Sequence, residues 1–138
     1  MTFAARDSKD TIEKGLHFAP KFDEHGLIPC MTLDAHTGAP LMLAYMNETS
    51  LKMTLELGQA VYYSRSRKEI WHKGAGSGQF QRVVEMLIDC DQDAIVLKVE
   101  QQGSGCCHTG APTCYYRRVP TGAELAALKS DPVPLQSR

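Results

Sequence analysis

No stretch of this 138-residue chain approaches the ~18 apolar residues that a membrane-crossing helix needs. An export leader is missing too. Met1 to Gly15 is broken by Asp7, Lys9, Asp10, Glu13 and Lys14 and has no apolar centre, so a cytoplasmic protein is expected. Excess charge of one sign is lacking: 15 Lys+Arg oppose 16 Asp+Glu, for a net charge of -1. That balance argues against electrostatic capture by nucleic acid or an anionic membrane. There is no internal repeat and no linker long enough to divide domains. The cysteines, Cys30, Cys90, Cys106, Cys107 and Cys114, are odd in number, which argues against a disulfide framework. The tight CxxC of a zinc ribbon, the P-loop GxxxxGK[ST], GxGxxG, and the H-x-E and P-C-x-x-C elements of zinc nucleobase deaminases are all absent.

What is present is ordinary for a globular domain: 43% hydrophobic and 22% charged residues. A chain of this size buries roughly two-thirds of its unfolded surface, enough for one core. Leu27–Asp34 and Pro40–Met46 read as a hairpin around His36-Thr37-Gly38. Asn47 is an N-cap for a helix of about three turns that Gly58 closes. Strands are expected at Ala60–Ser64, Phe80–Asp89, Ala94–Gln101 and Tyr115–Val119, with a short helix at Glu124–Lys129 and a frayed tail. Strands outnumber helices and connections are hairpin-length. The predicted class is therefore α+β, a single small domain with a mainly antiparallel sheet and a few short helices. Residues 1–24 read as an N-terminal arm, of which 1–20 form a loosely attached arm or a short helix, 25–119 as the domain, and 120–138 as a C-terminal helix and tail.

Three constellations can carry chemistry. Asp89-Cys90-Asp91-Gln92-Asp93 puts three carboxylates within five residues. In an extended chain Asp89, Asp91 and Asp93 share one face and Cys90 takes the other. Three hard oxygens suit Mg²⁺, and a lone thiolate suits Zn²⁺. A solvated acidic turn is the plainer alternative. The second is Cys106-Cys107-His108-Thr109-Gly110-Ala111-Pro112-Thr113-Cys114, to which Cys90 could add a third sulfur. Three thiolates with an open position lower the pKa of a bound water toward ~7. Cys30 and Cys106 fit core or surface thiols. The third runs from Ser64 to Gln81. There Arg65, Arg67 and Lys73 stand among hydroxyls and flexible glycine backbone, the mixture a phosphate pocket uses.

A haloacid dehalogenase-type phosphatase would account for an apolar strand entering Asp-x-Asp, but too little chain follows Asp93 to build its fold. A zinc-binding interaction module leaves the acidic triplet and the basic glycine loop without a role. Taken in series, Ala44-Tyr45-Met46-Asn47, Tyr63-Ser64-Arg65-Ser66-Arg67, Trp71-His72-Lys73-Gly74, Ser77-Gly78-x-x-Gln81, Asp89-Cys90-Asp91-x-Asp93 and Cys107-His108-Thr109-Gly110-x-x-x-Cys114 resemble the phosphoribosyl-AMP cyclohydrolase family.

The resemblance implies a homodimeric hydrolase needing Zn²⁺ and Mg²⁺. It would open the adenine ring of N1-(5-phosphoribosyl)-AMP between N1 and C6 with a zinc-activated water, the third step of L-histidine biosynthesis. It implies magnesium ligands at Asp89, Asp91 and Asp93, and zinc ligands at Cys90, Cys107 and Cys114, with Cys90 given by the partner subunit. Cys106 stands beside Cys107 as the alternative ligand. His108 and His72 are the candidate proton carriers. Arg65, Arg67, Lys73, Ser77 and Gln81 are the candidate contacts to the phosphorylated nucleotide. Gly76 and Gln79 stand where the family often has Thr and His or Asn.

Overall fold

The structure is a computed structural model that describes residues 1–128 and 131–135. In chain order it runs α1 (Lys9–Lys14), β1 (Ile28–Asp34), β2 (Pro40–Met46), α2 (Glu48–Leu57), β3 (Val61–Ser64), β4 (Glu69–His72), β5 (Gln81–Ile88), β6 (Ile95–Gln101), β7 (Arg117–Arg118), α3 (Ala123–Leu128) and β8 (Val133–Pro134). It is a small single domain with mixed sheets and a few short helices. The main sheet has the order β2-β1-β6-β5. Its outer pairs are the two expected antiparallel hairpins, but the central β1/β6 pair is parallel, with Cys30 opposite Ile95. That pairing joins segments far apart in the chain, so neither hairpin announces it.

Local chemistry sets the ends of α2. Asn47 Oδ1 accepts from the Ser50 N–H at 2.8 Å, and Ser50 Oγ accepts from the Asn47 N–H at 2.9 Å, a closed capping box. Gly58 ends the helix in the left-handed region at φ 69°. One face of the sheet carries Ile28, Cys30, Leu97 and Val99, all fully buried with Leu51 of α2 and Tyr62 of β3 in a single core. The opposite face carries one apolar row across all four strands. Leu43 pairs with Met31, Met31 with Val96, and Val96 with Leu87. Leu43 remains 49% exposed and Leu87 41% exposed, so nothing among the described residues fully covers this row.

Three expectations change. The N-terminal segment holds the short helix of the second alternative, α1, and is not loosely attached: Phe3, Phe18 and Phe22 pack on the core, and Ala19 is buried. The expected strand at Tyr115–Val119 shrinks to Arg117–Arg118. Within the expected tail, Val133–Pro134 pairs with it instead of fraying. The short helix spans Ala123–Leu128, and its expected last residue, Lys129, lies outside the described residues. Among the described residues no helix is long and apolar enough to cross a membrane.

Candidate active site

The segment from β4 to β5 forms one wall of a cleft of about 580 Å³, and the cysteine loop forms the other. Gly74 (φ 96°) turns the first wall, where a side chain would strike the Phe80 backbone. Gly105 (φ 145°) lets the second wall fold against Pro112. That loop is then tied to β2. The Cys114 N–H donates to the Leu41 carbonyl at 2.8 Å, and Thr113 Oγ1 donates to the Pro40 carbonyl at 2.7 Å.

Lys73 joins the two walls. It is buried, its Nζ donates to the Cys106 carbonyl at 2.6 Å, and it lies 5.2 Å from the Trp71 ring centroid. Its ammonium is thus committed to the cysteine loop, although it still lines the cleft. Cys107 Sγ lies 2.9 Å from Thr109 Oγ1. The Thr109 hydroxyl, then its N–H, and more weakly the Lys73 charge favour the Cys107 thiolate and lower its pKa. Burial, then the neighbouring Cys106 and Cys107, push Cys114 up to about 12. Cys106, buried, points its thiol at the Leu41 carbonyl at 3.2 Å, the posture of a neutral structural S–H. A thiolate favoured at Cys107 beside a thiol that its neighbours keep from ionising at Cys114 is a donor set that suits a thiophilic cation.

His72 Nε2 is hydrogen-bonded to Gln59 Oε1 at 2.7 Å and its ring meets Phe80 edge-on, so it is held on the cleft wall. His108 is exposed and its ring makes no hydrogen bond among the described residues. It also borders a second, open cleft of about 680 Å³ with Ser64, Arg65, Ser66 and Arg67. Arg65 is stacked 3.9 Å from the Tyr45 ring centroid, and Arg67 reaches Glu69 at 3.7 Å. The two clefts share Arg67, Trp71 and His108. Ser77 lines the first cleft, its Oγ accepting from the Gln79 N–H at 3.2 Å.

Gln81 stands apart from these. It is fully buried. Its Oε1 accepts from the Tyr62 hydroxyl, and its Nε2 donates to Gln101 Oε1 at 2.8 Å. Gln101 Nε2 in turn donates to the Gln79 carbonyl at 3.0 Å. Gln81 therefore braces the cleft wall from behind and offers the cleft no free atom. Sequence reasoning missed Gln59 and Gln101 and gave Thr109, though inside a motif, no role of its own, since spacing does not mark a residue that only holds another in place.

Asp89, Asp91 and Asp93 do converge, with one ligand atom of each within 4.8 Å of the others. The cause is not strand alternation. β5 ends at Ile88 and residues 89–93 make a tight turn with Gln92 in the left-handed region at φ 57°. Asp91 and then Asp89 crowd the Asp93 carboxyl, which rises to about 6. Burial opposes ionisation of Asp89, but the Asp93 N–H and side chain and the Ala94 N–H hold it below the ordinary value. Three oxygens this close, one made harder to ionise by the others, fit a hard divalent cation.

The turn and its exposed Cys90 lie at the opposite end of β5 from the cysteine loop. Ile88 pairs with Ile95 at one end and Gln81 with Gln101 at the other, and the loop follows Gln101. At ~3.3 Å per residue, the ends of this strand are about 25 Å apart.

The family model for phosphoribosyl-AMP cyclohydrolase matches residues 42–116. A phosphoribosyl-AMP cyclohydrolase of Nitrobacter hamburgensis is 55% identical over 135 residues, covering 95% of this chain and 91% of that protein. One from Nitrobacter winogradskyi is 56% identical over 118 residues, covering 86% and 80%. One from Rhodopseudomonas palustris strain BisB18 is 52% identical over 121 residues, covering 88% and 82%. The chain belongs to the phosphoribosyl-AMP cyclohydrolase family. It is with that family an enzyme, a hydrolase of histidine biosynthesis.

Proposed function

We propose that the protein opens the six-membered ring of N1-(5-phosphoribosyl)-AMP between N1 and C6, giving the formimino-aminoimidazole-carboxamide ribotide, and that it does so as a homodimer with shared sites. The observation that carries the second half is the length of β5. Cys90 follows one end of β5 and the cysteine loop follows the β6 residue paired to its other end, roughly 20–25 Å away by strand rise, which sets Cys90 apart from Cys107 and Cys114 within one chain. A two-fold dimer that runs the strands of its two copies in opposite directions places each Cys90 beside the partner's cysteine loop. The apolar row Leu43, Met31, Val96 and Leu87 gives such a dimer a self-complementary contact.

In this reading Cys107 and Cys114, with Cys90 of the partner subunit, hold Zn²⁺. Asp89, Asp91 and Asp93 hold Mg²⁺. Zinc, when bound, supplies the Lewis acidity that makes water nucleophilic near neutral pH. The remaining roles belong to the chain. N1 substitution already makes C6 electrophilic. The breaking bond then needs a proton delivered at N1, within reach of a group that can take one from the attacking water. His108 is suited to move it, because its ring is free and it stands where the two clefts meet. His72, with one nitrogen tied to Gln59, suits orientation of the purine. Arg65 and Arg67, with Ser64 and Ser66, line the open cleft and face an anionic end of the nucleotide.

Complementation tests shared sites. Inactive Cys90→Ser and Cys107→Ser proteins are mixed and allowed to exchange subunits. In the heterodimer one site carries both lesions and the other none, so up to about half the wild-type activity per heterodimer returns, by two-fold symmetry. No recovery from demonstrably mixed dimers would place each site within one chain and end this reading.

A further inference from the structure

The six residues Asp89 to Ala94 carry four of the six metal ligands proposed above, yet only one of the six side chains is buried. That side chain is Gln92, which stands between Asp91 and Asp93 and binds no metal in the proposed scheme. It reaches away from the acidic cluster into the N-terminal segment. Its Oε1 accepts from the Ala19 N–H at 2.8 Å. Its Nε2 donates to the Ile12 carbonyl at 2.9 Å and to the His17 carbonyl at 3.2 Å. The Gln92 carbonyl accepts from the Lys21 N–H at 2.7 Å. Arg6 adds a second tie, its guanidinium donating to the Asp91 carbonyl at 2.9 Å and to the Ala19 carbonyl. The segment is itself fastened to the core through Phe3, Phe18 and Phe22.

We infer that residues 4–21 are a strap that sets the geometry of the metal-bearing turn, with Gln92 and Arg6 as its positioning residues. The inference rests on the proposed reading of Asp89, Asp91 and Asp93 as a divalent-cation site. The argument is one of preorganisation. A left-handed backbone at Gln92, the fourth residue of this five-residue turn, is a conformation that L side chains adopt uncommonly. Here four hydrogen bonds to distant backbone hold it. With the anchor in place, the carboxylates converge before a cation arrives. Without it, the turn relaxes and cation binding must restore it. Three like charges on so short a turn favour that relaxation. The strap lies wholly outside the matched family region, residues 42–116, so the motif that bears the ligands does not contain the part that aligns them. Linkage makes the effect reciprocal: a cation that favours the ordered turn must also favour the docked strap.

The experiment measures Mg²⁺ and Mn²⁺ binding calorimetrically, with no substrate, on full-length wild type and on Arg6→Ala, Gln92→Gly and Asp91→Asn. Gly can still adopt the left-handed backbone, so Gln92→Gly removes the side-chain anchor without itself forbidding the conformation. Each strap variant should bind roughly tenfold more weakly, the scale on which outer-shell partners of metal ligands act. The Michaelis constant for Mg²⁺ should rise with them, while kcat at saturating metal returns to near the wild-type value. Amide hydrogen exchange gives the reciprocal readout: Mn²⁺ should slow exchange across residues 4–21 in wild type and not in Asp91→Asn. Unchanged cation affinity in both strap variants, with wild type binding and Asp91→Asn not binding, would overturn the strap alone. Wild type that binds no better than Asp91→Asn would overturn the cation site and the strap together.

Discussion

Two residues in the cleft region show how far a side chain's neighbours decide its job. Gln81 and Cys106 lie among motif residues, and both turn inward. For Gln81→Leu, Gln101 Oε1 loses its partner, a cost of about 1–3 kcal/mol for a group left unsatisfied, and the Tyr62 hydroxyl keeps only Thr32 Oγ1 at 2.7 Å. The expected result is a clear drop in the unfolding midpoint in urea, in the absence of any substrate. A contact residue would instead change the Michaelis constant and leave the midpoint alone. Cys106→Ser should keep its zinc, because the hydroxyl can still donate to the Leu41 carbonyl, whereas Cys107→Ser should lose it. Metal analysis of the purified variants decides which neighbour of the pair is the ligand. The convergence of Asp89, Asp91 and Asp93, and the presence of Cys107 and Cys114 on one loop beside the cleft, were legible in the sequence, since both follow from residues close together along the chain. The burial of Gln81 and Lys73 was not, because it depends on β3, β6 and the cysteine loop closing over them.

Among the elements, the hairpin β1–β2 was read nearly to its ends, and so was α2 between Asn47 and Gly58, because turn and cap chemistry is local. The acidic turn was misread as extended strand for the complementary reason. What bends it is Gln92, whose partners lie more than 70 residues away along the chain. The β1–β2 turn offers its own test. Asp34 Oδ1 accepts from the His36 N–H at 2.8 Å and from the Thr37 N–H at 2.9 Å. The Thr37 N–H, against a small opposing effect of burial, and then the His36 N–H hold its carboxyl below the ordinary value. A depressed carboxylate stabilises the fold above its unfolded pKa of about 3.8, and that contribution fades as pH falls through the lower folded value. Asp34→Asn should therefore cost a small amount at pH 7, about 0.5 kcal/mol given the solvent screening of this turn. The gap to wild type should close near pH 3. Paired urea titrations at the two pH values measure it, and a gap that widens in acid would contradict the assignment.

At the scale of the whole molecule, two metal sites that each draw on both chains would bind the assembly as well as the substrate. Zinc removal should then weaken association: a ligand held only by the dimer stabilises it by mass action. Sedimentation velocity across a protein dilution series, with and without a zinc chelator, should show the monomer–dimer midpoint moving to higher protein concentration when zinc is withdrawn. An unmoved midpoint would leave the apolar row as the sole source of the association. The α+β class and the hairpins were visible in the composition and turn residues. The uncovered row was not, because it exists only once four strands stand in register.

The parallel joint between β1 and β6 also orders events during synthesis. A chain grown only as far as Gln79 already carries β1, β2, α2, β3 and β4, yet the inner edge of β1 has nothing to pair with until Ile95 has been made. Until then β1 presents a bare row of backbone donors and acceptors beside an apolar face, the kind of edge that pairs with other chains. The cysteine loop comes later still, and it hangs on the carbonyls of Pro40 and Leu41 at the start of β2. The nascent protein thus passes from an adhesive half-sheet to a closed one in a few dozen residues of growth, and the cleft takes shape only after that edge has been sealed.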